Sequence, residues 1–186
     1  MKNNNKKITD HLYKNQKMIS LGKRSSMAYE SDPIRFVFTL SRYKFVAKML
    51  EGYKNVLEVG AGDGFKSPIV KQFTKKLTLS DIEKKNVSDF YKNRINNTDY
   101  IVHDFTKEKY DKKYDGIYSL DVLEHIDKKK EDIFLKNICS SLKKNGTLIV
   151  GMPSLESQKY ASKWSKVGHI NCKSKQNLKK LLEKYF

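Results

Sequence analysis

The residues able to do chemistry cluster where glycines and carboxylates meet. The run Val56-Leu57-Glu58-Val59-Gly60-Ala61-Gly62-Asp63-Gly64 reads as a buried strand that stops at a glycine-rich turn and leads into a helix. Glycine lets the main chain approach a ligand closely and take positive φ, so such a turn presents bare backbone N–H groups. The phosphate-binding fingerprint G-x-G-x-x-G is not matched, because the glycines here are Gly60, Gly62 and Gly64. Glu58 and Asp63 flank the turn and would repel a pyrophosphate, so the pattern suits a cationic ligand. Asp81 can accept hydrogen bonds from both hydroxyls of a ribose. Asp104, Asp121 and Glu124 add carboxylates further on, and His125 and His169 supply imidazoles, the side-chain type suited to a general base.

These residues need a scaffold, and the hydrophobic pattern supplies one. Short apolar runs at 56–59, 77–79, 100–102, 115–120 and 147–150 predict five strands, several of them ending at the carboxylates named above. Helical patterns are expected at 33–50, 67–73, 89–94, 133–142 and 176–185, with Pro33 at a helix start, Gly52 at an end and 144–146 forming a turn. Strands alternating with helices predict an α/β fold, a doubly wound, mainly parallel sheet with helices on both faces. In such a sheet ligands bind beyond the carboxyl ends of the strands, where the carboxylates lie. Residues 1–32 are polar and weakly patterned and predict an N-terminal arm or lid with one short helix at 9–19. Residues 33–186 form the binding domain.

Composition narrows the classes. The chain of 186 residues suffices for one domain, which buries roughly 70% of its unfolded surface. No stretch approaches the roughly 20 apolar residues of a membrane span, and no apolar segment follows the basic N-terminus, so a cytoplasmic location is expected. Cys139 and Cys172 have no metal-ligand spacing. The net charge of +17 invites nucleic acid. The lysines are spread along the chain and arginine is scarce, which favours a solvated surface over a phosphate-reading patch.

The ordered set of motifs resembles the class I S-adenosylmethionine-dependent methyltransferases, in particular those acting on sugars and small molecules. The matching residues are the turn at 58–64, Asp81-Ile82, His103-Asp104-Phe105, the segment from Tyr114 to Ile126 and Asn145-Gly146-Thr147-Leu148-Ile149-Val150. By that resemblance Gly60 and Gly62 let the backbone pass the methionine part of the cofactor, with Glu58 near its amino group. Asp81 holds the ribose hydroxyls, and Ile82 and Phe105 flank the adenine, whose amino group donates to Asp104. Leu120 and Asp121 line the methionine side. Arg42-Tyr43 resembles an Arg-Tyr pair of some relatives, in which Arg42 would meet the cofactor carboxylate; a surface ion pair is the competing reading. Glu58 as a strand-end carboxylate facing water, Ile82 and Phe105 as core, and Asp104 as a turn cap are alternatives of the same kind.

The resemblance implies methyl transfer to a small-molecule acceptor, with an oxygen of a sugar or of a polysaccharide or lipid-linked precursor expected. His169, in a Gly-His element after strand five, ranks first as base and His125 second, with a capping role near Asp127 as the alternative for His125. No metal is expected. An RNA or protein methyltransferase and a catalytically silent cofactor-binding scaffold are the alternatives. The family sheet ends with a sixth strand and an antiparallel seventh, whereas this chain stops at 182–186. Either the chain is a fragment, or the arm or a partner covers the edge of strand five, through which chains could pair.

Overall fold

Alternating residues along each strand feed the two faces of one sheet. The computed structural model describes residues 2–15, 19–92 and 97–185. Helices α1 (Lys2–Asn15), α2 (Lys23–Ser31) and α3 (Pro33–Met49) precede β1 (Asn55–Val59), α4 (Pro68–Lys71), β2 (Lys76–Asp81), α5 (Lys84–Lys92), β3 (Thr98–Val102) and β4 (Tyr114–Leu120). Then come α6 (Glu131–Ser140), β5 (Leu142–Gly151), α7 (Lys163–Gly168) and α8 (Lys175–Leu182). The strands pair in parallel in the order β3-β2-β1-β4-β5. The expected α/β architecture is present.

Val56, Leu77, Leu79, Tyr118 and Leu120 meet Tyr43 and Val46 of α3, Leu50 just past its end and Phe90 of α5 on one face. Leu57, Val59 and Ile117 meet Phe134, Leu135 and Ile138 of α6 and Leu181 of α8 on the other. Burying both faces explains why the strands read as nearly continuous apolar runs. The strand order reverses between β1 and β4, so the crevice beyond their carboxyl ends is where this topology binds ligands. The glycine turn leaves β1 there, and Asp121 to His125 leave β4 there.

Local chemistry sets the helix that flanks the crevice. The Asp32 carboxylate accepts from the Arg35 N–H at 2.9 Å and Pro33 occupies the first turn of α3, which satisfies or removes otherwise orphaned donors.

Four expectations change. The arm holds two helices, α1 and α2; residues 16–18 of the helix expected at 9–19 and residues 93 and 94 of that expected at 89–94 lie outside the described residues. The turn expected at 144–146 lies inside β5, where the ladder shifts from Tyr114↔Leu142 to Gly116↔Thr147. The helix expected at 67–73 is regular only over α4. Finally, α2 does not cover β5. Its Ser25 binds Asp63 of the glycine turn and the Lys23 N–H donates to Asp89 of α5, so the arm's second helix docks at the ligand end of the sheet. Among the described residues no helix is long and apolar enough to cross a membrane.

Candidate active site

The glycine turn is built to need glycine. Gly60, Gly62 and Gly64 have φ of 83°, 59° and 70°, in the left-handed region. A Cβ on Gly60 would come within 2.1 Å of Val122 Cγ2. The turn's glycines do not, however, offer bare amides. Gly60 and Ala61 N–H both donate to Ser80 O, at 2.8 and 3.0 Å, and Gly64 N–H donates to Ala61 O at 3.1 Å. The Gly62 N–H donates to Asp81 Oδ2 at 2.9 Å. The donor cradle expected from the glycines is therefore spent internally, and carboxylates dominate the ligand end. Asp63 accepts from the Ser25 N–H and hydroxyl, both at 2.7 Å, and so anchors α2 instead of standing free.

Asp81 ends β2 almost buried, its oxygens accepting from Gly62 and Glu83 N–H at 2.9 Å each. Each carboxylate oxygen can accept more than one bond, so acceptor capacity remains. Ile82 is 64% exposed, which rules out the core reading of it. Arg24 of α2 has its Cδ 3.6 Å from the position a Gly62 Cβ would take, and it forms no hydrogen bond or salt bridge among the described residues. Sequence reasoning passed over this arginine because α2 carries no strong pattern.

Three expected ligand contacts point elsewhere. Glu58 is 1% exposed, and it accepts from the hydroxyls of Tyr43 at 2.7 Å, Ser67 at 2.5 Å and Tyr118 at 2.6 Å. Burial pushes its carboxyl pKa up. This carboxylate joins β1, β4, α3 and the turn from inside the core, so the expected place near a cofactor amine is corrected. Phe105 is likewise buried at 2%, in the core beneath α6. Asp104 caps its own turn, accepting from the Thr106 N–H at 2.9 Å and hydroxyl at 2.7 Å, as in the capping alternative.

The end of β4 holds the second half of the crevice. Arg42 of α3 and Asp121 form a bidentate pair at 2.5 and 2.6 Å, partly buried, with Asp121 at φ 56°. The ion-pair reading of Arg42 is thus the one realised, and the partner is an expected site residue. Leu120 is core behind it. Beyond Asp121, Glu124 has a fully buried side chain with neither oxygen hydrogen-bonded. Burial pushes its pKa up to about 7. His125 and His169 lie with ring centroids 5.2 Å apart. The His125 Nδ1–H donates to Gly168 O at 2.8 Å, and His169 Nδ1 meets Gln158 Oε1 at the same distance. Burial, with His125 nearby, lowers the His169 pKa. Asn171 N–H donates to Glu124 O, so the loop after α7 carries His169 back to the end of β4.

Comparison with known proteins decides the family. The model of a family described as a methyltransferase domain matches residues 32–185. The chain belongs to that family. No curated protein sequence matches significantly. Among solved structures, the DhpI–SAM–HEP complex is similar with a TM-score of 0.67 and 16% identity over 87% of this chain and 83% of that one. The N-methyltransferase NodS from Bradyrhizobium japonicum WM9, in complex with S-adenosyl-L-homocysteine, gives 0.66 and 16% over 80% and 74%. The plantazolicin methyltransferase BpumL, in complex with SAH, gives 0.67 and 17% over 87% and 68%.

The protein is an S-adenosylmethionine-dependent methyltransferase. The methyltransferase's own turn fits that cofactor: its glycine amides are spent, carboxylates surround it, and beside Gly62 only the Arg24 side chain, among the described residues, stands within 4 Å of where a Cβ would be. A sulfonium and an amine are at ease in such a place, and a phosphate is not.

Proposed function

We propose that this methyltransferase acts on an oxygen of a small-molecule acceptor, a sugar or a polysaccharide or lipid-linked precursor. Asp81 takes the ribose hydroxyls on the lone pairs left by Gly62 and Glu83, and exposed Ile82 covers the adenine. Gly60 and Gly62 give the methionine part its passage, Arg24 meets its carboxylate, and Asp121, held by Arg42, lines its far side. Residues 19–32 act as the lid of domain 33–186, tied down by the Ser25–Asp63 bonds.

S-adenosylmethionine supplies an electrophilic methyl group on sulfur. The chain positions the acceptor, excludes water and handles one proton. His169 is the group that accepts the hydroxyl proton. With Nδ1–H donating to Gln158, its Nε2 carries the lone pair, and a neutral imidazole is the form a base needs. This pair of imidazoles at the β4 end, each tied through Nδ1 to an oxygen, is the observation that carries the oxygen-acceptor reading.

The test is transfer of labelled methyl from S-adenosylmethionine to a panel of hydroxylated small molecules, with RNA and protein as parallel acceptors. Label is expected in a small-molecule arm, and His169→Ala is expected to slow it about 10²-fold or more. Label confined to RNA, falling steeply with salt, overturns the reading in favour of the nucleic-acid alternative.

A further inference from the structure

The grouping of Glu124, His125 and His169 carries more than a proton. One ligand-type atom from each residue lies within 4.8 Å of the other two. The His125 Nε2 is 3.9 Å from Glu124 Oε1. A buried carboxylate with both oxygens unbonded is costly, and natural proteins rarely leave one without a reason. Both neighbours are imidazoles whose Nδ1 atoms are already fixed, His125 by Gly168 O and His169 by Gln158 Oε1. That fixes the tautomer in which each Nε2 lone pair is free. Metal-bound histidines show the same outer arrangement, one nitrogen donating to a carbonyl so that the other ligates. The cations facing Glu124, Arg42 and Arg35, make no hydrogen bond to it, because Arg42 is paired with Asp121 and Arg35 donates to the Ser165 hydroxyl at 2.9 Å.

We propose that Glu124, His125 and His169 bind a divalent transition-metal cation, and that the acceptor's oxygen completes its coordination. One carboxylate and two imidazoles suit the borderline ions Mn²⁺, Co²⁺ and Zn²⁺ better than Mg²⁺, which prefers an all-oxygen shell. Ligand bonds of about 2.1 Å require the cluster to draw in, with the exposed His125 ring turning about its bond to Gly168 O. Three protein ligands leave open positions, and an acceptor with neighbouring hydroxyls can occupy two of them. The second half of the proposal rests on the oxygen-acceptor reading above. Methyl transfer itself needs no metal; the cation's contribution is to hold the acceptor and acidify its hydroxyl. In the cation-loaded enzyme both histidine lone pairs are on the cation, so His169 serves there as ligand in place of its role as base in the cation-free enzyme, and the hydroxyl proton leaves to solvent. The O–CH₃ bond then forms as the CH₃–S bond breaks, its electron pair staying on sulfur.

The experiment is titration of chelator-treated full chain with Co²⁺, read by calorimetry and by visible absorption. Wild type is expected to bind one equivalent per chain with a d–d band of four- or five-coordinate Co²⁺. His125→Ala, His169→Ala and the isosteric Glu124→Gln are each expected to weaken binding by about 10-fold or more, while each variant still binds S-adenosylhomocysteine, which reports that it is folded. Binding that is absent, or that keeps wild-type affinity in His169→Ala and His125→Ala, overturns the site. Cation binding without methylation of any hydroxylated acceptor refutes the oxygen-acceptor reading and leaves the cation site standing. Hydroxyl methylation that persists in chelator, with no Co²⁺ bound, refutes the site and leaves that reading standing.

Discussion

Glu58 offers the sharpest test of the physical account, because the structure makes it an internal strut. Replacing it with leucine strands the hydroxyls of Tyr43, Ser67 and Tyr118, all buried. An unpaired buried polar group costs about 1–3 kcal/mol, so the three together come to about 3–9 kcal/mol. Against a domain stability of about 5–15 kcal/mol, Glu58→Leu is expected to unfold much of the protein at 37 °C. Glutamine keeps the shape, and its oxygen accepts from two hydroxyls while its amide donates to the third. Glu58→Gln is expected to stay within about 2 kcal/mol of wild type. The pH dependence follows from burial, which raises the native pKa above its ordinary 4.5. The native state then holds the proton more tightly than the unfolded chain. The stability from Glu58 is fully present below about pH 4.5 and is lost as pH rises from there through the raised native value. Urea titrations of wild type and Glu58→Gln across pH 4 to 8 isolate this one group by difference, and wild type should lose ground to the glutamine form as pH rises. Calorimetry with S-adenosylhomocysteine supplies the second readout, expected to change less than about threefold in Glu58→Gln. A flat pH difference, or a Glu58→Leu protein within about 1 kcal/mol of wild type, would refute the reasoning.

Gly60→Ala meets Val122 Cγ2 at 2.1 Å and a φ of 83°; it is expected to cost about 2–4 kcal/mol. Val122→Ala should restore only the steric part, a non-additivity that a double-mutant denaturation cycle measures. Asp63→Ala removes both bonds that hold Ser25, so trypsin is expected to cut at Lys23 and Arg24 faster than in wild type, with residues 33–185 remaining resistant. Equal cleavage rates would show that α2 is held by its packing alone.

The centre of the sheet was legible because β1, β2 and β4 bury both faces, and that leaves an apolar run whatever the neighbours do. The start of α3 was legible from Pro33, and the strand ends from Gly60, Asp81 and Asp121. What escaped was decided by partners far off in sequence. Helix α2 has little apolar patterning and is held by Asp63, 38 residues from Ser25. The grouping of Glu124 and His125 with His169 is closed by α7 and the loop after it, which periodicity did not announce. Tyr43 belonged to a recognised pair with Arg42, yet the two diverge, one to Glu58 in the core and the other to Asp121 at the crevice. The signal that could have warned of this is the rarity of a fully buried glutamate without hydrogen-bonding partners.

The internal bonding of the glycine turn also limits how the protein could be re-engineered. Neutralising Asp63 and Asp81 would remove the repulsion felt by phosphate but would not create a seat for it. The Gly60 and Ala61 amides would still be committed to Ser80 O across the gap to β2. The preference is thus written in main-chain directions that β1 and β2 impose through their register. Converting this scaffold into a nucleotide binder would mean rebuilding a strand junction, which point substitutions do not reach.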